Sequence, residues 1–419
     1  MLHSIQTDRL GPFGTAITGA VQACVHCGFC LAACPTYAEL GQEMDTPRGR
    51  IVLMKGVLEN NLPWTAAQPH VDRCLGCLAC EPACPSGVRY RELINPFRVL
   101  ARSRWSRSAG ETFRRALLAR VLPFPERFRF AVRLGSMAKR LPAFVPRAFH
   151  SMLELLPAAL PSRQTWPCLT PARETRRARV ALLTGCVQQV LDPDINTATL
   201  EVLSRNGVEV VVPPDQACCG GLAWHTGDWA TAQTLAKRNI AAFPHDVDAI
   251  LTNAAGCGSS LLEYHLILRG TPDEDRADVF RRRVMDVSVF LARLGLRPFP
   301  RPAGPRRIAY HDACHLAHAQ NVTLEPRQLL RAIPGVELVE LPLSHLCCGS
   351  AGTYNLDQPE IAASLGRKKA QAILGARAEL VASGNIGCLN QLRRHLTGLG
   401  SALPVGHTMQ VLRDAYGKQ

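Results

Sequence analysis

The sequence predicts a multidomain protein: an α-helical cysteine-rich domain over residues 1–100, a basic helical connector over 101–178, and two repeated α/β domains over 179–300 and 301–419. Three observations predict it. Eight cysteines fall in the first hundred residues in two identical spacings, and prolines and arginines punctuate the stretch that follows. From residue 179 strand and helix signals alternate, and three cysteine landmarks recur at a nearly constant offset.

Composition narrows the class. A chain of 419 residues has room for about two or three domains. Its 17 cysteines are far more than an ordinary chain carries, and a free thiol is costly to keep unless it ligates something or is buried. They point to metal in a reducing compartment. The start, MLHSIQTDRLGPFGTAITG, lacks a basic region followed by an apolar run. No stretch of about 18 apolar residues is present to span a bilayer. The expectation is a cytoplasmic protein, peripheral at the cytoplasmic face of the inner membrane.

The first domain is organised by Cys24-x2-Cys27-x2-Cys30-x3-Cys34-Pro35 and its second copy, Cys74-x2-Cys77-x2-Cys80-x3-Cys84-Pro85. Three thiolates two residues apart can wrap one corner of a small cluster. The pattern resembles the run that holds the paired [4Fe-4S] clusters of bacterial ferredoxins, in which the Cys before Pro crosses to the other cluster. That resemblance assigns Cys24, Cys27, Cys30 and Cys84 to one [4Fe-4S] cluster and Cys34, Cys74, Cys77 and Cys80 to the second. Structural zinc sites gain nothing from a third Cys at this spacing. Disulfides fit a secreted chain and not this one.

Between the two runs, Asp45 to Glu59 reads as a helix, with Asp45 or Thr46 as N-cap and Pro47 in the first turn. Its apolar residues 51, 54, 57 and 58 lie on one face. A helical spacer implies an α-helical ferredoxin domain rather than the compact βαβ type.

The connector concentrates charge: residues 101–180 hold 17 Arg and Lys against 4 Glu and no Asp, close to the whole excess of +14. Phe113–Leu122 and Phe128–Leu134 mix Arg with large apolar residues. Such a pattern lies on an anionic membrane surface or against an acidic partner, or is the solvated face of a docking linker. No nucleic acid is expected, since no recognition motif accompanies the charge.

In the α/β part, strands are expected at 179–183, 208–212, 249–252, 307–310, 336–340 and 379–382, with helices such as 228–240 and 361–374 between them. Cys186, Cys218-Cys219-Gly220 and Cys257 recur as Cys314, Cys347-Cys348-Gly349 and Cys388, offset by 128, 129 and 131 residues. Each cysteine follows a strand closely or through a short loop. Ligands bind at strand ends in open α/β sheets, so four thiols per half are expected to converge. The Cys-Cys-Gly element resembles the cysteine-rich (CCG) domain of heterodisulfide reductase subunits, which implies a redox or metal site at Cys186, Cys218, Cys219, Cys257, Cys314, Cys347, Cys348 and Cys388, holding a further cluster or zinc. The sequence departs from that pattern's final CxxC, with Ala254 and Asn385 in place of its first Cys. His225, His311, His315 and His345 lie close by. Each is a ligand, a proton carrier or a hydrogen-bonded core residue. Cys168 stands alone.

Taken together, Cys24-Val25-His26-Cys27-Gly28-Phe29-Cys30, Cys34-Pro35-Thr36-Tyr37, Asp45-Thr46-Pro47-Arg48-Gly49-Arg50-Ile51 and Cys74-Leu75-Gly76-Cys77 resemble the iron-sulfur subunits of glycolate oxidase, also called glycolate dehydrogenase. The anaerobic glycerol-3-phosphate dehydrogenase and lactate-oxidising counterparts share the layout. The resemblance implies FAD-containing flavoprotein subunits as partners and a quinone-type acceptor. No Rossmann fingerprint or phosphate-cradling loop is present, so no catalytic residue is assigned and the chain alone is not expected to oxidise glycolate. The alternative from another class is a scaffold whose metal only braces a docking surface.

Overall fold

Thr46 is the N-cap of the helix that joins the two cysteine runs: its side chain accepts from the Gly49 amide at 2.9 Å, and Pro47 takes the first helical position. Asp45, the other capping candidate, is instead fully buried among cations. The computed structural model describes residues 3–139, 153, 156–157, 159–300, 306–344 and 346–417. His345, Pro142 and Pro146 lie outside the described residues.

The first domain is built of α1 (Gly14–Gln22), α2 (Pro35–Leu40), α3 (Pro47–Leu58), α4 (Trp64–Asp72) and α5 (Arg91–Ala101), with no strand among its described residues. Ile51, Met54, Val57 and Leu58 bury one face of α3 in a core shared with α1 and α5. The connector gives α6 (Ala109–Val121), capped by Ser108 through the Glu111 amide, and α7 (Pro125–Ala138), which Pro125 opens.

The first α/β repeat has β1 (Leu169–Thr170), β2 (Ala178–Leu183), β3 (Val208–Val211), β4 (Ala249–Thr252) and β5 (Val284–Asp286) in the order β1-β3-β2-β4-β5. The second has β6 (Arg306–His311), β7 (Val336–Glu340), β8 (Leu380–Ser383) and β9 (Val405–His407) in the order β7-β6-β8-β9. All pairs are parallel except β1 with β3. The two sheets are copies, and each reverses strand order beside its first parallel strand, between β2 and β4 or between β6 and β8. All six expected strands are present. The first sheet also recruits Leu169–Thr170 from the stretch read as connector, and β5 and β9 are too short to give a periodic signal.

Successive residues of β2 divide between two cores. Ala181 and Leu183 join the core of the first domain, while Val180 and Leu182 share a second core with Ile308, Tyr310 and Ala382 of the other repeat. The helical domain is seated on both repeats. Asn95 donates to Glu263 at 3.1 Å, Tyr354 donates to the Arg73 carbonyl at 2.8 Å, and Glu39 accepts from Ser364 and pairs with Lys368.

Candidate metal centre

Each cysteine run turns back on itself through left-handed residues. His26 (φ 57°) and Gly28 (φ 87°) do this in the first run, and Gly76 (φ 65°) and Leu78 (φ 60°) in the second. Two adjoining cavities result. One is lined by Cys24, Cys27, Cys30 and Cys84, the other by Cys34, Cys74 and Cys77, and Cys80 lines both. The Cys-Pro cysteine of each run therefore lies with the other run's thiols. The donor set, soft thiols in apolar surroundings and without disulfides, fits iron-sulfur clusters.

The cavities differ. Cys27 is exposed, and Val25 and Phe29 beside it project to the surface, so the first opens outward. The second lies among more deeply buried side chains and is heavily hydrogen-bonded. Gly76 N donates to Cys74 Sγ at 3.4 Å, Tyr90 Oη lies 3.9 Å from the same sulfur, and Thr36 Oγ1 is 3.1 Å from Cys34 Sγ. Arg50, 1 % exposed, reaches Cys34 Sγ at 3.9 Å and pairs with Asp45 at 3.5 Å. Burial raises Cys77 and Cys80 well above the ordinary thiol range. At Cys74 burial pushes the same way, but the Arg50 and Arg98 guanidinium charges outweigh it and hold the thiol below its usual value. Arg50, Tyr90 and Arg98 carried no sequence signal for this role beyond Arg50's place in the Thr-Pro-Arg-Gly-Arg stretch.

In the α/β repeats the thiols gather beside the points where strand order reverses. Cys186 Sγ lies 3.4 Å from Cys218 Sγ, and Cys219 accepts hydrogen bonds from Cys218 and Cys257, which hold it well below the ordinary range. In the second repeat Cys314 and Cys347 are 3.8 Å apart, Cys347 contacts Cys348, and Cys348 contacts Cys388. Cys314 and Cys347 pack in one apolar cluster with Leu75 and Cys77, against the second cavity of the first domain. Cys168 is exposed.

His315 lies where the three domains meet. Its Nδ1 is 2.6 Å from Ser259 Oγ, and its ring sits 5.5 Å from that of His225, which in turn touches Asn95 Oδ1 at 3.1 Å. Burial lowers both histidines, His315 to about 4. Glu263, 1 % exposed, accepts from Trp224 Nε1 at 2.6 Å and from Asn95, and burial pushes it up to about 7.

Comparison with known proteins agrees with this layout. A 4Fe-4S dicluster domain model matches residues 20–88, and a cysteine-rich domain model matches 180–262 and 308–393. The glycolate oxidase iron-sulfur subunit of Escherichia coli (strain K12) is 38% identical over 95% of each chain, and the probable glycolate oxidase iron-sulfur subunit of Bacillus subtilis (strain 168) is 37% identical over 95% of each. The chain belongs to the glycolate oxidase iron-sulfur subunit family. Lactate utilization protein A of Oceanobacillus iheyensis is 30% identical over 56% of this chain and 96% of its own length. The glycolate oxidase family thus matches the chain over nearly its full length, helical domain and both repeats included. No described helix is long and apolar enough to cross a membrane.

Proposed function

We propose that this chain is the electron-transfer subunit of a glycolate-oxidising complex. It takes electrons from an FAD-containing flavoprotein partner that converts glycolate to glyoxylate and passes them to a quinone-type acceptor. The observation that carries this reading is the pair of adjoining thiol cavities, each completed by the other run's Cys-Pro cysteine. Cys24, Cys27, Cys30 and Cys84 hold one [4Fe-4S] cluster, and Cys34, Cys74, Cys77 and Cys80 hold the other. When bound, such clusters supply one-electron carriers.

The chain's own residues set the direction and insulation of the path. Val25, Phe29 and the exposed Cys27 offer an apolar surface at the outward cavity, suited to close approach of a partner. Arg50 and Arg98 place positive charge at the inner cavity, which favours holding an added electron there. Tyr90, Tyr354 and Leu75 keep water from it.

The basic connector plays a partly internal role. Arg107 pairs with Asp72, Arg114 with Asp357 at 2.6 Å, and Arg115 reaches both carboxylates at 3.8 Å, so these cations clamp the connector to the body. Any contact with an anionic membrane then falls to the exposed side of α7, where Phe130, Leu134 and Met137 stand beside Arg133.

The test is to add glycolate to the anaerobic, assembled complex and follow the iron-sulfur absorbance. Bleaching by glycolate in the complex, and none with the isolated subunit, is the expected result. Clusters that stay oxidised in the complex would leave only the scaffold reading, and turnover of glycolate by the subunit alone would contradict the division of labour.

A further inference from the structure

We infer, resting on the two-cluster reading above, that Glu263 takes up one proton from solvent when the inner cluster, that of Cys34, Cys74, Cys77 and Cys80, receives an electron, and gives it back when the electron leaves. Glu263 belongs to the first α/β repeat and ligates nothing. Its connection to the cluster is made by one stripe of α5.

Arg91, Asn95 and Arg98 stand at i, i+4 and i+7 of that helix and so share a face. Arg98 Nη2 donates to the Cys74 carbonyl at 2.7 Å. Arg91 binds Glu81, the residue after Cys80, through Nη2 at 2.6 Å and through its backbone amide at 2.7 Å. Both ends of the stripe therefore grip the loop that lines the inner cavity. Asn95, between them, donates to Glu263 Oε2 at 3.1 Å.

The carboxyl is poised between its two states. Trp224 and Asn95 both donate to Oε2, which favours the anion. Against that, the group is 1 % exposed, and Oε1 is buried with no hydrogen-bond partner. The Arg91 guanidinium also pulls towards the anion, but it is committed to Glu81. Burial prevails and pushes Glu263 up to about 7, and the Glu81 carboxylate adds to the rise. An electron placed on the cluster next to Glu81 acts in the same sense. The step balances as one electron from the flavoprotein onto the cluster and one proton onto Oε1, so the buried junction gains no net charge.

The other groups facing Glu263 keep their charge state near neutral pH. His225, His315 and His265 are all lowered by burial and stay neutral, and Arg91 and Arg98 stay charged. Glu263 is thus the group at this junction placed to titrate as the cluster changes charge.

The test is a mediated redox titration of the full-length chain, purified anaerobically and followed by EPR between about pH 6 and pH 9. The first one-electron step belongs to the inner cluster, where Arg50 and Arg98 place positive charge. Below about pH 7 Glu263 is already protonated and that potential is flat. Above it, each pH unit makes the first reduction about tenfold harder, about 59 mV for one electron. Glu263→Gln, fixed neutral, keeps the low-pH potential throughout and loses the slope, which a residue serving only the fold would leave in place. The unaltered chain decides the matter even where the variant fails to fold: its reduced-minus-oxidised infrared spectrum at about pH 8 gains a protonated-carboxyl band that shifts in deuterium oxide. A flat potential, a slope that survives in Glu263→Gln, or the absence of that band overturns the inference. Bleaching by glycolate in the complex is read separately, so failure here leaves the electron-transfer reading standing.

Discussion

Glu263 shows what a single buried side chain contributes at the junction of the three domains. An exposed glutamate titrates near 4.5, and burial lifts this one to about 7 against the pull of Arg91 and the hydrogen bonds from Trp224 and Asn95. Between those two values the folded chain keeps a proton that the unfolded chain has released. Stability is therefore full below about pH 4.5 and is lost as pH rises through 7, by up to about 3 kcal/mol. Glu263→Gln keeps the hydrogen-bonding shape without the charge. Its thermal midpoint is expected to fall less than that of the unaltered protein between pH 5 and pH 8, and parallel curves would contradict the assignment. Nothing in the sequence marks this residue, because its partner Asn95 lies 168 positions away. The eight cysteines of the first domain were legible for the opposite reason: their spacing is local, and so is the backbone turn it imposes. His311 falls between these cases. Its position beside Cys314 was visible, but its isolation from every hydrogen-bond partner emerges only when β6 and β8 pair.

At the scale of elements, the α/β strands were legible because parallel strands covered on both faces read as unbroken apolar runs. Ala249–Thr252 and Leu380–Ser383 are buried at every position. Strands β1, β5 and β9, at two or three residues, are fixed by pairing with a neighbour and carry too few residues for a pattern. The connector was legible as helix and as basic, but the use of its charge was not. A sequence cannot tell a cation that faces lipid from one that finds Asp72 or Asp357 after folding. Each such ion pair is partly exposed and contributes about 1 kcal/mol or less, yet several together fix α6 to the body. The double variant Arg114→Ala, Arg115→Ala is expected to be cleaved faster by trypsin within residues 102–139 while keeping its iron. An unchanged cleavage rate would show that apolar packing alone holds the helix.

For the whole molecule, the internal repeat gave away two similar domains, and the sheets share strand order and register. What the repeat concealed is how differently the copies are used. The first buries much of one sheet face against the helical domain, whereas the second brings Cys314 and Cys347 against the inner cavity. The resulting order is an outward cavity, an inner cavity and then the second repeat, an arrangement that no single motif encodes. The most direct measurement is an anaerobic iron and sulfide assay with EPR on the reduced chain, run beside Cys34→Ser and Cys84→Ser. About eight irons and a spin-coupled pair of [4Fe-4S] signals are predicted, with Cys34→Ser disturbing the Cys74 cluster and Cys84→Ser the Cys24 cluster. Zinc in place of iron, or each variant disturbing the cluster of its own run, would contradict the account.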